Sequence, residues 1–284
     1  MKITVIGANG QLGMDLMEAF KVENPVGLTH VDIEICDLDS VSRVLTGMKP
    51  DLVINTAAYH KVDDCEKNPE RSFQVNAIGP WNLAAVTESL KIDLVHISTD
   101  YVFDGRKGSP YRETDLPNPL NVYAVTKVAG EHFIAAGSSR SYIVRSSGLY
   151  GHNKCRAKGR NFIDTMLALA KEKKEVRVVQ DEVLTPTYTF HLARQIRELV
   201  KTRAYGLYHI TNNGSCSWYE FACAIFERAG ISVSVVPATV KEFMSPIKRP
   251  HYSVLENAAL QSLGIDHMPE WQESLEHYFR TRSN

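Results

Sequence analysis

The chain has 284 residues, 44% of them apolar, and its 33 acidic and 32 basic side chains leave a formal charge of −1. That length suits one large domain or two modest ones. The balanced charge argues against the basic face of a nucleic-acid binder and the polybasic stretch of a membrane-surface protein. No apolar run approaches the ~18–20 residues that span a bilayer. The apolar part of the N-terminus covers only residues 3–6, too short for a signal core. Five cysteines without C-x-x-C spacing and ten histidines without an H-E-x-x-H pair predict free thiols and no dedicated transition-metal site. A cytoplasmic protein is the expectation.

In chain order, residues 3–6 predict a strand and residues 12–20 an amphipathic helix. Between them stands Gly7-Ala8-Asn9-Gly10-Gln11-Leu12-Gly13, with G-x-x-G-x-x-G spacing. Glycines are needed where backbone turns sharply and approaches a pyrophosphate held by the N–H groups of a helix start. The loop therefore predicts dinucleotide binding, with a plain strand-to-helix turn as the alternative. Asp32 follows a presumptive second strand and is placed to bind a ribose hydroxyl. A carboxylate there opposes a 2′-phosphate and favours NADH, while His30 leaves room for NADPH. Asp37 and Leu38 are expected near the adenine, with helix capping by Asp37 as the competing role.

Further on, strands are predicted at 52–54, 94–97 and 142–144, and helices at 41–46, 71–90 and 123–136. Continuous apolar strands alternating with amphipathic helices predict an α/β fold, a Rossmann-like doubly wound parallel sheet with ligands at the carboxyl ends of its strands. The Pro- and Asn-rich residues 116–121 read as a loop at the edge of the site. The strand at 94–97 runs into Ser98-Thr99-Asp100-Tyr101, which puts the Thr99 hydroxyl where a ligand would sit. Tyr123 and Lys127 share a helix face at i and i+4. A free phenol titrates at about 10, and a neighbouring ammonium is expected to lower that value for proton exchange. Lys127 is also suited to hold ribose hydroxyls.

Beyond residue 150 the strand–helix rhythm loosens. Helices are predicted at 161–171, 191–201, 218–229 and 240–243, and strands at 176–179, 207–210 and 233–235. Residues 154–160 form a basic, glycine-containing insertion, expected to be exposed. The expected division is a dinucleotide-binding unit with the catalytic residues over 1–150 and a mainly substrate-binding α/β unit over 151–284, with interleaving segments allowed. Arg249 or Lys248 of the second unit is a candidate for pairing with phosphate oxygens, surface ion pairing being the alternative. Trp218, Tyr219 and Phe221 read as core packing after a Ser215 or Ser217 cap.

Taken together, the motifs resemble those of extended short-chain dehydrogenase/reductases, and within them the dTDP-4-dehydrorhamnose reductases. The resemblance covers nearly the whole chain: GANGQLG at 7–13, NTAAYHKVDDCE at 55–66, VNAIGP at 75–80, ISTDYVFDG at 97–105 and NVYAVTK at 121–127. It continues with NFIDTM at 161–166, PTY at 186–188, YHITNNGSCSWYEFA at 208–222, RPHYSVL at 249–255 and MPEWQESL at 268–275. It implies reduction of the C4 ketone of a dTDP-linked 4-keto-6-deoxy sugar with NADPH or NADH. Thr99, Tyr123 and Lys127 would be catalytic, with Asp100 beside the sugar. Ala57, Ala58 and Tyr59 would line the cofactor with Asn76 nearby, and Val102, Gly148, Asn161 and Arg249 would face substrate.

Three departures from the family pattern fall on the substrate side. The usual RTSW is Arg145-Ser146-Ser147-Gly148, the usual DQxGxPT is Asp181-Glu182-Val183-Leu184-Thr185-Pro186-Thr187, and residues 154–160 lengthen a loop. A related keto sugar therefore stays open as the substrate. A 4,6-dehydratase is disfavoured because Tyr101 stands where a carboxylate is needed. A non-catalytic regulatory subunit like the methionine adenosyltransferase beta subunit is the reading from another class. Some relatives hold magnesium between subunits through an acidic residue on the first helix; Asp15 alone leaves that ion, and a homodimer, open.

Overall fold

The computed structural model describes residues 1–153, 159–243 and 246–282. Its elements, in chain order, begin with β1 (Ile3–Ile6), α1 (Gln11–Ala19), β2 (Val26–Leu28), α2 (Leu38–Met48) and β3 (Leu52–Asn55). There follow α3 (Val62–Lys67), α4 (Pro69–Phe73), α5 (Gly79–Leu90), β4 (Asp93–Thr99), α6 (Val122–Gly137) and β5 (Ser141–Ser146). The second half adds β6 (Leu149–Tyr150), α7 (Phe162–Glu172), β7 (Glu175–Val179), β8 (Val183–Leu184), β9 (Thr187–Tyr188) and α8 (Thr189–Thr202). It closes with β10 (Gly206–His209), β11 (Cys216–Ser217), α9 (Trp218–Ala229), β12 (Ser234–Ala238), α10 (Ala258–Ser262) and α11 (Trp271–Thr281).

Six parallel strands form the central sheet in the order β10-β5-β4-β3-β1-β2. The winding reverses at β1, whose neighbours are β2 and β3, so a crevice opens outside their carboxyl ends. β1 and β3 are buried at every residue, which is why they read as continuous apolar runs rather than alternating ones. One face packs against α1 and α8 through Leu12, Leu16, Leu192 and Ile196. The other packs against α2, α5 and α6 through Val41, Leu45, Leu83 and Ile134.

The second half divides its labour. α8 and β10 return to the central sheet and share its core. The other cluster joins α7, α9 and α11 with the paired β7 and β12, around Tyr150, Tyr188, Phe221 and Tyr278. Phe221 is fully buried there with Trp218 and Tyr219 packed alongside, and Ser217 with Glu220 closes a capping box on α9. Residues 154–158 of the basic insertion lie outside the described residues. Among the described residues no helix is long and apolar enough to cross a membrane.

Two local features go beyond the periodicity. The helix read over 71–90 starts at Pro69 and carries a π-turn at Gln74–Ile78 between α4 and α5. Gly130 of α6 packs there so closely that a Cβ would stand 2.2 Å from the Asn76 carbonyl oxygen. The π-turn also aims Asn76 at Tyr59, whose N–H it accepts and whose carbonyl it binds, both at 2.9 Å. β4 runs two residues beyond its apolar run, so Ser98 and Thr99 belong to the strand.

Candidate active site

The glycine loop is held by its own backbone. Gly7 and Ala8 donate to the Leu28 carbonyl at 2.8 and 3.1 Å, and Gly10 donates to Gly7 at 2.9 Å. Gly7 has φ +80°, and a Cβ on Gly13 would lie 2.2 Å from the Gly7 carbonyl oxygen. No side chain caps α1 at Gly10, so the N–H groups of Gln11, Leu12 and Gly13 have no carbonyl one turn below. Gln11 also has a buried Oε1 without a partner. An uncapped helix start in a cradle that a Cβ would fill fits a dinucleotide pyrophosphate. Leu12 contributes backbone only, since its side chain is in the core. Gly13→Ala should force the loop open and weaken NADPH binding at least about tenfold, the usual cost of overpacking; an unchanged fluorescence titration would contradict this account of the cradle.

Asp32 is exposed, but its Oδ2 turns back to accept the Thr29 N–H and hydroxyl, both at 2.8 Å. These two donors hold its carboxyl below the usual range. The side chain read as placed for a ribose thus closes the turn after β2. Asp37 caps α2 by accepting from Asp39 N at 3.0 Å, while Leu38 is half-exposed beside it. At the end of β3, Asn55 Oδ1 accepts from Ala57 N at 3.1 Å, so Ala57, Ala58 and Tyr59 leave the strand beside the glycine loop.

The ends of β4, β5 and α6 bring the reactive side chains together. Thr99 donates to Asp100 Oδ1 at 3.0 Å and accepts from Tyr101 N at 3.2 Å. Asp100 Oδ2 accepts from Ser147 at 2.8 Å and Ser253 at 2.6 Å. Burial pushes the Asp100 carboxyl upward, and the Ser253, Ser147 and Thr99 hydroxyls pull it back. Asn121 starts α6 by accepting from Ala124 N at 2.9 Å, which fixes Tyr123 in its first turn. The Tyr123 and Tyr101 rings meet edge to face at 6.1 Å.

One expectation is corrected here. The Tyr123 phenol is not lowered: burial pushes it up, the Thr99 hydrogen bond opposes that, and Asp100 and Cys65 raise it further. Lys127 is buried and points elsewhere, with Nζ 3.1 Å from His96 Nε2 and donating to the Ile97 carbonyl at 2.6 Å. Tyr123 is therefore a protonated phenol at neutral pH, which suits a proton donor. Burial lowers Lys127 to about 8, against a smaller upward pull from Glu131.

That shift has a measurable sign. From about 8 to 10.5 the unfolded chain holds a proton that folded Lys127 has released, so its contribution to stability rises with pH and is lost as pH falls through about 8. Relative to Lys127→Met, the wild type should gain about 3 kcal/mol across that window in urea melts. Parallel stability curves for the two proteins would refute it.

Two of the residues expected to face substrate are used structurally. Val102 is fully buried with Phe103, Tyr111 and Leu255, so it packs core and offers no open surface. Asn161 spends its amide structurally, capping α7 at Asp164 N (2.9 Å) and donating to the Gly151 carbonyl (2.8 Å). Gly148 has φ +55°, and a Cβ there would meet Leu184 Cδ1 at 2.7 Å. Gly148 and Leu184 belong to two of the three departures noted above, and they compensate one another in space. Arg249 lies 4.0 Å from Asp63 and acts on Glu182, whose carboxyl burial pushes up and Arg249 draws back. Asp15 Oδ1 accepts from Asn153 at 3.1 Å, and among the described residues no three His, Cys, Asp or Glu gather as a metal site.

The motifs assigned no role to Asn55, His96, Ser147 or Ser253, and Glu182 stood only as a departure on the substrate side. For Asn55 and His96 the available signal was a polar residue inside or ending an apolar strand, as in LVIN and LVHIST.

A family model described as RmlD substrate binding domain matches residues 1–283. The chain belongs to that family. It is 40% identical over 285 residues to the spore coat polysaccharide biosynthesis protein SpsK of Bacillus subtilis, covering 100% of this chain and 98% of the relative. The solved dTDP-4-dehydrorhamnose reductase of Clostridium acetobutylicum superposes with TM-score 0.94 at 43% identity, over 99% of each chain. That of Bacillus anthracis, solved in complex with NADP, superposes with TM-score 0.95 at 39% identity, over 99% of this chain and 100% of its own. The chain is an enzyme, an oxidoreductase of the Rossmann-like type. This removes the reading as a regulatory subunit.

Proposed function

We propose that this family member reduces the C4 ketone of dTDP-4-dehydro-L-rhamnose to give dTDP-L-rhamnose, with NADPH or NADH. The supporting observation is the Thr99–Tyr123 pair at the end of β4, on the same carboxyl edge of the sheet as an uncapped helix start suited to a pyrophosphate. A bound nicotinamide cofactor would supply the hydride. The chain supplies the proton: Tyr123 donates its phenol hydrogen to the developing C4 alkoxide and is reprotonated from solvent. Thr99 turns its hydroxyl to the oxygen that carries the charge. Lys127 in its ammonium form holds ribose hydroxyls, and Arg249 pairs with diphosphate oxygens of the sugar nucleotide.

A second reading keeps the reaction and changes the sugar. The positive-φ bend at Gly148 lies against Leu184, with buried Glu182 two residues before Leu184 in the chain, and both changes fall on the wall expected to meet the sugar. The relative named for spore coat polysaccharide synthesis is consistent with either sugar. Purified protein should oxidise NADPH or NADH with dTDP-4-dehydro-L-rhamnose, and NMR of the product should show the L-rhamnose configuration. Consumption of a different dTDP-keto sugar alone would select the second reading, and no turnover of any keto sugar would defeat both.

A further inference from the structure

Asn55 and His96 are paired across β3 and β4, and both are fully buried. Their hydrogen bonding has one consistent solution. Ala57 N donates to Asn55 Oδ1 at 3.1 Å, which turns the amide nitrogen toward His96 Nδ1, also at 3.1 Å. An amide nitrogen only donates, so Nδ1 must carry the lone pair and the ring proton is assigned to Nε2. That Nε2 lies 3.1 Å from Lys127 Nζ. An ammonium would meet it hydrogen to hydrogen, whereas an amine offers a lone pair.

We propose that Asn55 and His96 form a buried positioning relay, which locks His96 as the Nε2–H tautomer and favours the amine form of Lys127 in the cofactor-free protein. The other charged groups around the lysine do not substitute for this control. Glu131, one turn along α6, is bound by Arg145 of β5 through hydrogen bonds of 2.9 and 2.6 Å and by Ser98 of β4. Tyr123, one turn before, is a neutral phenol held by Thr99. The direction of the lysine's own titration, down to about 8, agrees with the relay, as does a His96 ring that burial and then Lys127 keep well below its ordinary value. The relay starts at the Ala57 backbone, so the state of the lysine is tied to the segment leaving β3 beside the glycine loop. Its consequence for catalysis rests on the reductase reading; the tautomer itself does not.

The first test needs neither substrate nor cofactor. In protein carrying nitrogen-labelled histidine, long-range proton–nitrogen correlation above pH 8 should show His96 neutral and protonated on Nε2, its signals identified by their loss in His96→Gln. An Nδ1–H pattern would overturn the proposal. The second test reads Lys127. In His96→Leu, the alkaline limb of NADPH affinity and of kcat/KM should move up by about one pH unit, the worth of one lost hydrogen bond. His96→Gln, whose amide N–H can be donated to Lys127, should bring the limb back. A limb equal in wild type and His96→Leu would also overturn the relay. Failure of the wild type to reduce any keto sugar would strike the reductase reading alone, because the tautomer and NADPH affinity are measured without sugar.

Discussion

Tyr123→Phe should fold, bind NADPH as tightly as the wild type and lose about 10²- to 10⁴-fold in kcat, the usual worth of a positioned general acid. The side chain is half-buried and its ring contact with Tyr101 survives the change. What disappears is the hydroxyl beside Thr99, which burial keeps protonated at neutral pH. A developing alkoxide would then meet only the Thr99 hydroxyl, already bonded to Asp100. The measurement is steady-state oxidation of NADPH with the keto sugar, set beside a fluorescence titration and a thermal melt. A kcat within a few-fold of wild type would remove Tyr123 from proton transfer, and weakened NADPH binding would place it in cofactor positioning.

Arg145→Leu should destabilise the protein by about 3–5 kcal/mol, the typical cost of removing one partner from a buried ion pair. The Arg145 and Glu131 side chains are only 3% and 7% exposed and meet through two parallel hydrogen bonds. Ser98 donates to the same carboxylate, and the guanidinium lies 5.2 Å from the centre of the Phe103 ring. Without the arginine, Glu131 keeps one hydroxyl partner and either holds an uncompensated charge or takes up a proton. Urea melts at neutral pH measure the loss. The double change Arg145→Leu with Glu131→Leu should recover much of it, since replacing both partners by apolar groups avoids the stranded charge. A single variant as stable as wild type would mean that the pair adds nothing.

Much of the architecture was legible before the structure because it depends on local patterns. The runs at 3–6 and 52–54 are apolar throughout, and only strands covered on both faces need that. The glycine spacing marked the β1–α1 turn, since Gly7 at positive φ and Gly13 against the Gly7 carbonyl have no room for a Cβ. Tyr123 and Lys127 were recognisable from their helical spacing taken with the glycine loop and the Thr99 hydroxyl that precede them in the chain. Their actual partners were not. The i,i+4 geometry suggested an ammonium beside a phenol, but the folded lysine turns to His96 and the Ile97 carbonyl on β4.

The residues whose partners escaped notice share a cause. Ser147 and Ser253 are about a hundred residues apart, yet both donate to one Asp100 oxygen, and no local pattern foretells a shared acceptor. Asn161 matched a motif, but its amide is used by α7 and Gly151. Val102 sits next to the reactive segment in sequence, while the short turn at Asp100–Val102 rotates it into the core. Gly148 and Leu184 read as two separate departures until folding showed that one makes space for the other.

Length, balanced charge and periodicity by themselves determined a covered parallel sheet, a phosphate-type turn and a tyrosine–lysine helix, because each follows from backbone geometry and burial over a few neighbouring residues. Only the tertiary structure decided which proton-bearing groups face each other: the phenol stays protonated, the lysine rests on a histidine, and the buried arginine neutralises Glu131. Those outcomes depend on desolvation and on donor–acceptor pairing between distant strands, and both exist only once the chain has closed around them.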